Sequence, residues 1–187
     1  MLALVGESGV GAVRFDFSLG QDEALATRLL RGLHAAGVEV LLHPVPPSEM
    51  ARRFPEPVAL DEWQRFMTRC LDCFSGLFEA VELGSTINRT KWSGLDLAGF
   101  IAMWEQGHAL CRDRDIPIVG PNVTDFEPQY NAGVLGMLAR RSCLPAIHSN
   151  NLFAERAIEP EAADHKIMGV ALRNLHGYDL RKKIALI

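Results

Sequence analysis

The stretch Glu79-Ala-Val-Glu-Leu-Gly-Ser-Thr-Ile-Asn-Arg-Thr-Lys-Trp-Ser-Gly94 carries most of the information about the fold. It begins with a short apolar run that ends at Gly84, and polar residues follow. Such a pattern is typical of a buried strand that leads into a loop. Side chains alternate along a strand, so Glu82 shares one side with Gly84 and Thr86. The stretch therefore predicts a strand with a carboxylate on one face and a polar loop at its C-terminal end.

Strand-like and helix-like segments alternate on both sides of this stretch. Strands are predicted at 2–6, 12–17, 38–43, 80–84, 116–120 and 144–148, and helices at 21–36, 61–77, 97–112, 130–141, 162–175 and 180–187. This order favours parallel βαβ units, either in an open doubly wound sheet or in a (β/α)₈ barrel. The chain has room for about six strands and stops inside the apolar run 183–187. We expect residues 1–187 to form a single barrel domain of class α/β, with the first six βα units present and the C-terminal part missing.

Composition excludes several classes of protein. The chain has 19 Lys and Arg against 23 Asp and Glu, a net charge of −4, and no basic run that could track phosphates. Its apolar stretches are shorter than the roughly 20 residues of a membrane helix. The four cysteines do not suggest a disulfide framework, which favours a reducing cytoplasm. We expect a cytoplasmic protein that binds neither nucleic acid nor membranes.

Two short motifs suggest cofactors but lack the residues that cofactors need. Gly6-Glu-Ser-Gly-Val-Gly11 has the glycine spacing of a phosphate-binding loop, yet Ala12 and Val13 stand where that loop needs Lys and Ser or Thr. Cys70 and Cys73 have the C-x-x-C spacing, but no second ligand pair lies at a suitable distance and both fall on an apolar helix stripe. We predict no cofactor and no metal.

Polar residues recur at the C-terminal ends of the predicted strands, where parallel α/β folds bind ligands. They are Asp16, Ser18, His43, Ser85, Thr86, Asn122, Thr124, Asp125, His148, Ser149, Asn150 and Asn151. Strand ends need polar residues for turns and caps in any case. His, Asn and Asp at successive strand ends exceed that need, so the pattern predicts a polar pocket.

The opening stretch resembles the fourth-strand segment of the clan A glycoside hydrolases, which are retaining (β/α)₈ barrels. That segment reads W-E-[IL]-G-N-E-P-N, with a Trp a few residues later. Glu82-Leu83-Gly84 matches E-[IL]-G, and Asn88 and Trp92 match the later Asn and Trp. Residues 13–18 are similar to the family's second strand, and 146–149 to a sixth strand that ends in a substrate-facing His. The resemblance implies a barrel and a carbohydrate ligand, part of a bacterial polysaccharide or glycoconjugate.

The departures from the family pattern concern catalysis. Ser85 and Thr86 stand where the family has the Asn that contacts the sugar 2-hydroxyl and the Glu that serves as acid/base. A threonine hydroxyl has no pKa near neutrality and cannot replace that carboxyl group. The family's nucleophile lies on a seventh strand, beyond the last residue of this chain. The protein would either bind glycan without cleaving it or use an unorthodox catalytic set of Asp125, Glu127 and His148.

Sugar recognition needs directional polar partners and a flat aromatic face. The predicted substrate-binding residues are Asp16, His43, Ser85, Thr86, Asn88, Trp92, Asn122 and Asn151. Trp92 is preferred because Trp63 and Trp104 lie on helix stripes typical of a core. Period-two alternation also predicts an Arg14–Glu82 ion pair inside the barrel.

Two alternatives come from other classes of protein. One is a Rossmann-like or flavodoxin-like open sheet that binds a nucleotide or small metabolite. The other is a half-barrel that pairs with another chain, for example in a homo-oligomer, through its open sheet edges. Strand order separates the first of these from a barrel, because a doubly wound sheet reverses its order at a switch point whereas barrel strands follow the sequence.

Overall fold

The protein is described here in a computed structural model that covers residues 7–125, 127–152, 166–167 and 170–171. In chain order its elements are β1 (Ala12–Ser18), α1 (Glu23–Ala35), β2 (Glu39–Val45), α2 (Ser48–Ala51), α3 (Pro57–Cys73), β3 (Ala80–Glu82), α4 (Thr90–Ser93), α5 (Leu97–Arg112), β4 (Ile118–Val119), β5 (Val123–Thr124), α6 (Pro128–Arg140), β6 (Asn150–Asn151), β7 (Lys166–Ile167) and β8 (Val170–Ala171). None of the helices in these ranges has the length and apolar character of a membrane span.

The main sheet is parallel, and its strands lie side by side in sequence order. β1, β2, β3 and β4 are neighbours in that order. A parallel bridge from Val119 to Ile147 continues the order, and β5 pairs in parallel with β6. No reversal occurs among these strands, which is the arrangement of a barrel rather than of a doubly wound sheet.

The strand path that begins in the predicted range 116–120 is divided in the structure. Gly120 and Pro121 lie between its two parts, β4 and β5. Gly120 has φ 128°, a conformation that other residues rarely adopt. A Cβ added there would lie 2.7 Å from the carbonyl oxygen of Leu83. The close approach of these two backbones therefore requires glycine and lets the path turn before it pairs with β6.

The hydrophobic core lies between the outer face of the sheet and the helices. Phe17 of β1 packs against the rings of Phe66 and Phe74, with ring centroids 6.1 Å and 5.0 Å apart. Trp63 and Trp104 are fully buried in this layer, as their helix positions predict. Since side chains alternate along β1, residues on either side of Phe17 point to the inner face of the sheet.

Most predicted helices are confirmed within a few residues. The helix predicted at 61–77 is Pro57–Cys73, because proline is well placed in a first helical turn and starts the helix earlier. Cys70 is buried as predicted, but Cys73 is exposed, so its assignment to the buried stripe is wrong.

Two predicted segments near the C-terminal end differ from the structure. Of the strand predicted at 144–148, only Ile147 forms a bridge, and regular pairing begins at Asn150. The helix predicted at 162–175 is wrong where it is described, because β7 and β8 pair antiparallel there. The strand predicted at 2–6 and the helix predicted at 180–187 lie outside the described residues. A single domain over 1–187 stays a prediction.

Candidate functional site

A buried carboxylate, Glu82, occupies the inner face of the sheet. Its side chain is 2% exposed. Glu82 Oε2 accepts a hydrogen bond from Arg14 Nη1 at 3.0 Å, and Oε1 accepts from Ser149 Oγ at 2.7 Å and Asn122 Nδ2 at 3.2 Å. Three donors from three other strand paths compensate the cost of burying this charge. The predicted Arg14–Glu82 ion pair is confirmed.

Arg14 connects this buried carboxylate to a second, more exposed one. Arg14 Nε lies 2.9 Å from Asp16 Oδ1, and Nη2 donates to Asp16 Oδ2 at 3.2 Å. His43 Nδ1 is 3.0 Å from Asp16 Oδ1. The hydrogen bond to His43 is the main cause that lowers the pKa of Asp16; burial opposes it, and the charges of His43 and Arg14 reinforce it. Asp16 therefore stays ionised near neutrality.

A cavity of about 420 Å³ opens where β1, β2 and β3 end, beside Arg14 and Asp16. This volume falls within the range of small-molecule sites. The lining residues are Arg14, Asp16, Ser18, His43, Val45, Pro46, Pro47, Ser48, Gly84, Ser85, Thr86, Trp92, Ser93 and Leu95. Five of the predicted substrate-binding residues are thus brought together: Asp16, His43, Ser85, Thr86 and Trp92.

One wall of the cavity carries an exposed aromatic ring and a strained threonine. Trp92, on the short helix α4, is 73% exposed, with Lys91 Nζ 5.7 Å from its ring centroid. Thr86 has φ 56°, which is unusual for a β-branched residue. Its Oγ1 accepts a hydrogen bond from Thr124 Oγ1 at 3.1 Å. Backbone strain of this kind is found often at binding and catalytic sites.

Three other predicted substrate-binding residues lie outside the cavity lining and contact the protein itself. Asn88 Nδ2 donates to the Thr124 carbonyl at 2.8 Å, and its Oδ1 accepts from the Thr124 amide at 2.9 Å. Asn122 Nδ2 donates to Glu82 and, at 3.2 Å, to Asn151 Oδ1. These side chains join the loops and strands that form the site.

The structure does not bring the three predicted catalytic residues together at the cavity lining. Arg89 Nη2 lies 3.0 Å from Asp125 Oδ2 and 2.6 Å from Glu127 Oε1. Both carboxylates are thereby paired with one guanidinium.

His148 lies on the side of its strand path that faces away from the inner cluster. The next residue, Ser149, contacts Glu82, and alternation turns His148 to the other side. Within the described ranges, neither of its ring nitrogens has a hydrogen-bond partner of good geometry. Burial lowers the pKa of His148, and the Gly120 backbone opposes this.

Sequence reasoning missed Ser149 as a donor to the inner cluster and several residues of the cavity wall. The strand predicted at 144–148 ends one residue before Ser149. Extending it would have placed Ser149 on the same face as Asn151, toward the inner cluster. Ser48, Ser93 and Leu95 carried no signal, since they lie on short helices and loops that have no clear periodicity. In the described part of the chain, no group of three or more His, Cys, Asp or Glu residues could hold a metal ion.

No protein-family model matches the chain, and no curated protein sequence matches it. Solved structures do. N2152 from Neocallimastix frontalis superposes with a TM-score of 0.59 at 19% identity, over 79% of this chain and 39% of that one. A GH10 xylanase from Bispora sp. MEY-1, solved with xylobiose, superposes with a TM-score of 0.55 at 12% identity, over 75% of this chain and 52% of the xylanase. The chain thus spans about half or less of the length of these structures.

These likenesses and the sequential parallel strands show the fold that the sequence predicts. The protein has an α/β structure of the (β/α)₈-barrel type.

Proposed function

We propose that the cavity at the C-terminal ends of the strands binds carbohydrate. The observation that carries this proposal is the joint presence of an exposed indole face and directional polar groups around one cavity. Trp92 supplies the flat apolar surface, and Asp16, His43, Ser85 and Thr86 supply hydrogen-bonding groups. Sugars present C–H faces that pack on aromatic rings and hydroxyls that need such partners.

The proposed protein binds a glycan in this cavity without hydrolysing its glycosidic bonds by the usual clan A mechanism. Thr86 stands at the acid/base position of the clan A pattern, and its hydroxyl cannot protonate a leaving group at neutral pH. Retaining hydrolysis needs two carboxylates about 5–5.5 Å apart with separate roles. Asp125 and Glu127 both contact Arg89 and lie outside the cavity lining, so neither is positioned to protonate a leaving group in the cavity.

Hydrolysis by Asp125, Glu127 and His148 is therefore the second hypothesis, and their catalytic role stays a prediction. The bacterial source of the glycan, a cytoplasmic location and the pairing of copies through open sheet edges also stay predictions. The likeness to a xylanase is consistent with a carbohydrate ligand, and it does not select the sugar.

The test is a glycan array probed with the full chain, followed by titration of the best ligand. We expect Trp92→Ala to weaken binding about tenfold or more, because stacking on the ring is lost. Val58→Ala is the matched control, since Val58 is also an exposed apolar residue but does not line the cavity. Equal affinity of both variants and the wild type, or the absence of any bound glycan, would overturn the proposal.

A second measurement on the same proteins separates binding from cleavage. Incubation of the bound glycan with the wild type should leave its chain length unchanged. Cleavage that is lost on Asp125→Asn or Glu127→Gln would instead favour the second hypothesis.

A further inference from the structure

Two carboxylates beside the cavity share one guanidinium. Arg14 is shared between Glu82, whose Oε2 lies 3.0 Å from Nη1, and Asp16, whose Oδ1 lies 2.9 Å from Nε. One guanidinium thus faces two carboxylates. When His43 is neutral, this group of residues carries one uncompensated negative charge.

That charge is accessible on the cavity side only at Asp16. Glu82 is enclosed by Arg14, Asn122 and Ser149, and it does not line the cavity. The Asp16 side chain is 52% exposed and lines the cavity. A ligand that enters the cavity would therefore meet the Asp16 carboxylate directly.

The basic residues that line the cavity are already paired with a carboxylate. Among the lining residues that the structure describes, Arg14 and His43 are the basic ones, and both contact Asp16. Nearby, Lys91 lies over the Trp92 ring, and Arg89 is held by its own two carboxylates. A carboxylate sugar would thus enter next to Asp16, where the basic lining residues Arg14 and His43 already contact that carboxylate.

We propose that the cavity selects sugars that carry a free, protonated amine over neutral, N-acetylated or acidic sugars. The amine would donate charge-assisted hydrogen bonds to Asp16 and bring a second positive charge to two carboxylates that share one guanidinium. This inference rests on the proposed carbohydrate function and names the substrate class for the same cavity.

The test is a matched series of sugars that differ only in one substituent. Oligosaccharides of glucose, N-acetylglucosamine, glucosamine and glucuronic acid, and the corresponding galacto-configured set, would be titrated into the full chain. The titrations use a pH below the pKa of the sugar amine, so that the amine carries its positive charge. We expect the amino sugar to bind about tenfold more tightly than its N-acetylated and neutral counterparts, as for one charge-assisted hydrogen bond. The uronate should bind most weakly.

Variants assign the preference to Asp16. Asp16→Asn keeps the size of the side chain and removes its charge, so the ratio of amino-sugar affinity to neutral-sugar affinity should fall to about twofold or less, whatever the change in the neutral-sugar affinity itself. Asp72→Asn is the control, because Asp72 is an exposed carboxylate paired with Arg114 outside the cavity. It should keep the full preference.

The outcomes distinguish this inference from the proposed function. If neutral, acetylated and amino sugars bind equally well, the inference is wrong and the carbohydrate function stands. If the uronate binds best, the sign of the charge argument is wrong. If no sugar binds, the proposed function fails and this inference fails with it.

Discussion

Arg14 and Glu82 form an ion pair on the inner face of the sheet, with Nη1 3.0 Å from Oε2, although 68 residues separate them in sequence. The pair extends across β2, from the first strand of the sheet to the third. Through Arg14, the buried carboxylate is connected to Asp16 and, through Asp16, to His43. The inner cluster thus joins the interior of the sheet to the cavity wall.

Glu82→Gln should destabilise the fold by about 2–3 kcal/mol, measured as the free energy of unfolding in urea. The substitution removes the charge that compensates Arg14. It also replaces one carboxylate oxygen with an NH₂ group, which would face a hydrogen-bond donor in a buried site. The matched control is Glu105→Gln, because Glu105 pairs with Arg141 on the surface. We expect a loss below about 1 kcal/mol there. Equal losses in the two variants would contradict a structural role for the buried pair.

Asp16→Asn should lower the melting temperature near neutral pH and have no effect in acid. The pKa of Asp16 is lowered in the folded protein, chiefly by the hydrogen bond from His43. A lowered pKa stabilises the fold above the unfolded value of about 3.8 and stops doing so as the pH falls through the folded value. Thermal melts of both proteins at several pH values between about 7 and 2 test this. A difference that grows below about pH 4 would contradict it.

The fold could be predicted because its signals are local and repeated. Helix α5 matches the range 97–112, where apolar residues recur at helical spacing behind Asp96, whose side chain caps the helix. Alternation along two strands was sufficient to place Arg14 and Glu82 on the same face. The helix predicted at 162–175 is wrong at Lys166–Ile167 and Val170–Ala171, which pair as antiparallel strands. Strand pairing depends on packing context, which hydrophobic periodicity alone does not predict.

The candidate site could be predicted only in part, for a different reason. Asp16 and His43 line the cavity because they lie opposite each other near the C-terminal ends of adjacent parallel strands, as the sequence predicts. Asn88 has the same chemistry and a similar position, but its amide binds the Thr124 backbone. Asp125 is paired with Arg89, which lies 36 residues away. A polar residue at a strand end can bind either a ligand or its own protein, and sequence alone does not decide between them.

Thiol labelling of the native protein should modify Cys73 first. Cys73 is exposed, whereas burial raises the pKa of Cys70 and of Cys111 to about 12, and Cys143 is also buried. The thiolate is the reactive form, so the buried thiols react slowly. With Ellman's reagent we expect one fast thiol in the native protein and all four after unfolding in denaturant. Cys73→Ser should abolish the fast phase. Two or more fast thiols in the native wild type would contradict the burial of this core.

Thr86→Asn should stabilise the fold by about 1 kcal/mol in urea and weaken glycan binding. Thr86 has φ 56°, a conformation that costs a β-branched residue about 1–3 kcal/mol but that Asn adopts readily. An Asn side chain can also replace the oxygen that accepts from Thr124 Oγ1. Thr27→Asn, in helix α1, is the control and should bring no gain, since Thr27 occupies ordinary helical backbone. If Thr86→Asn is no more stable than Thr27→Asn, strain at this wall of the cavity does not limit stability. The expected result, a gain in stability with lower glycan affinity, would mean that the strained conformation holds the Thr86 hydroxyl where a sugar needs it.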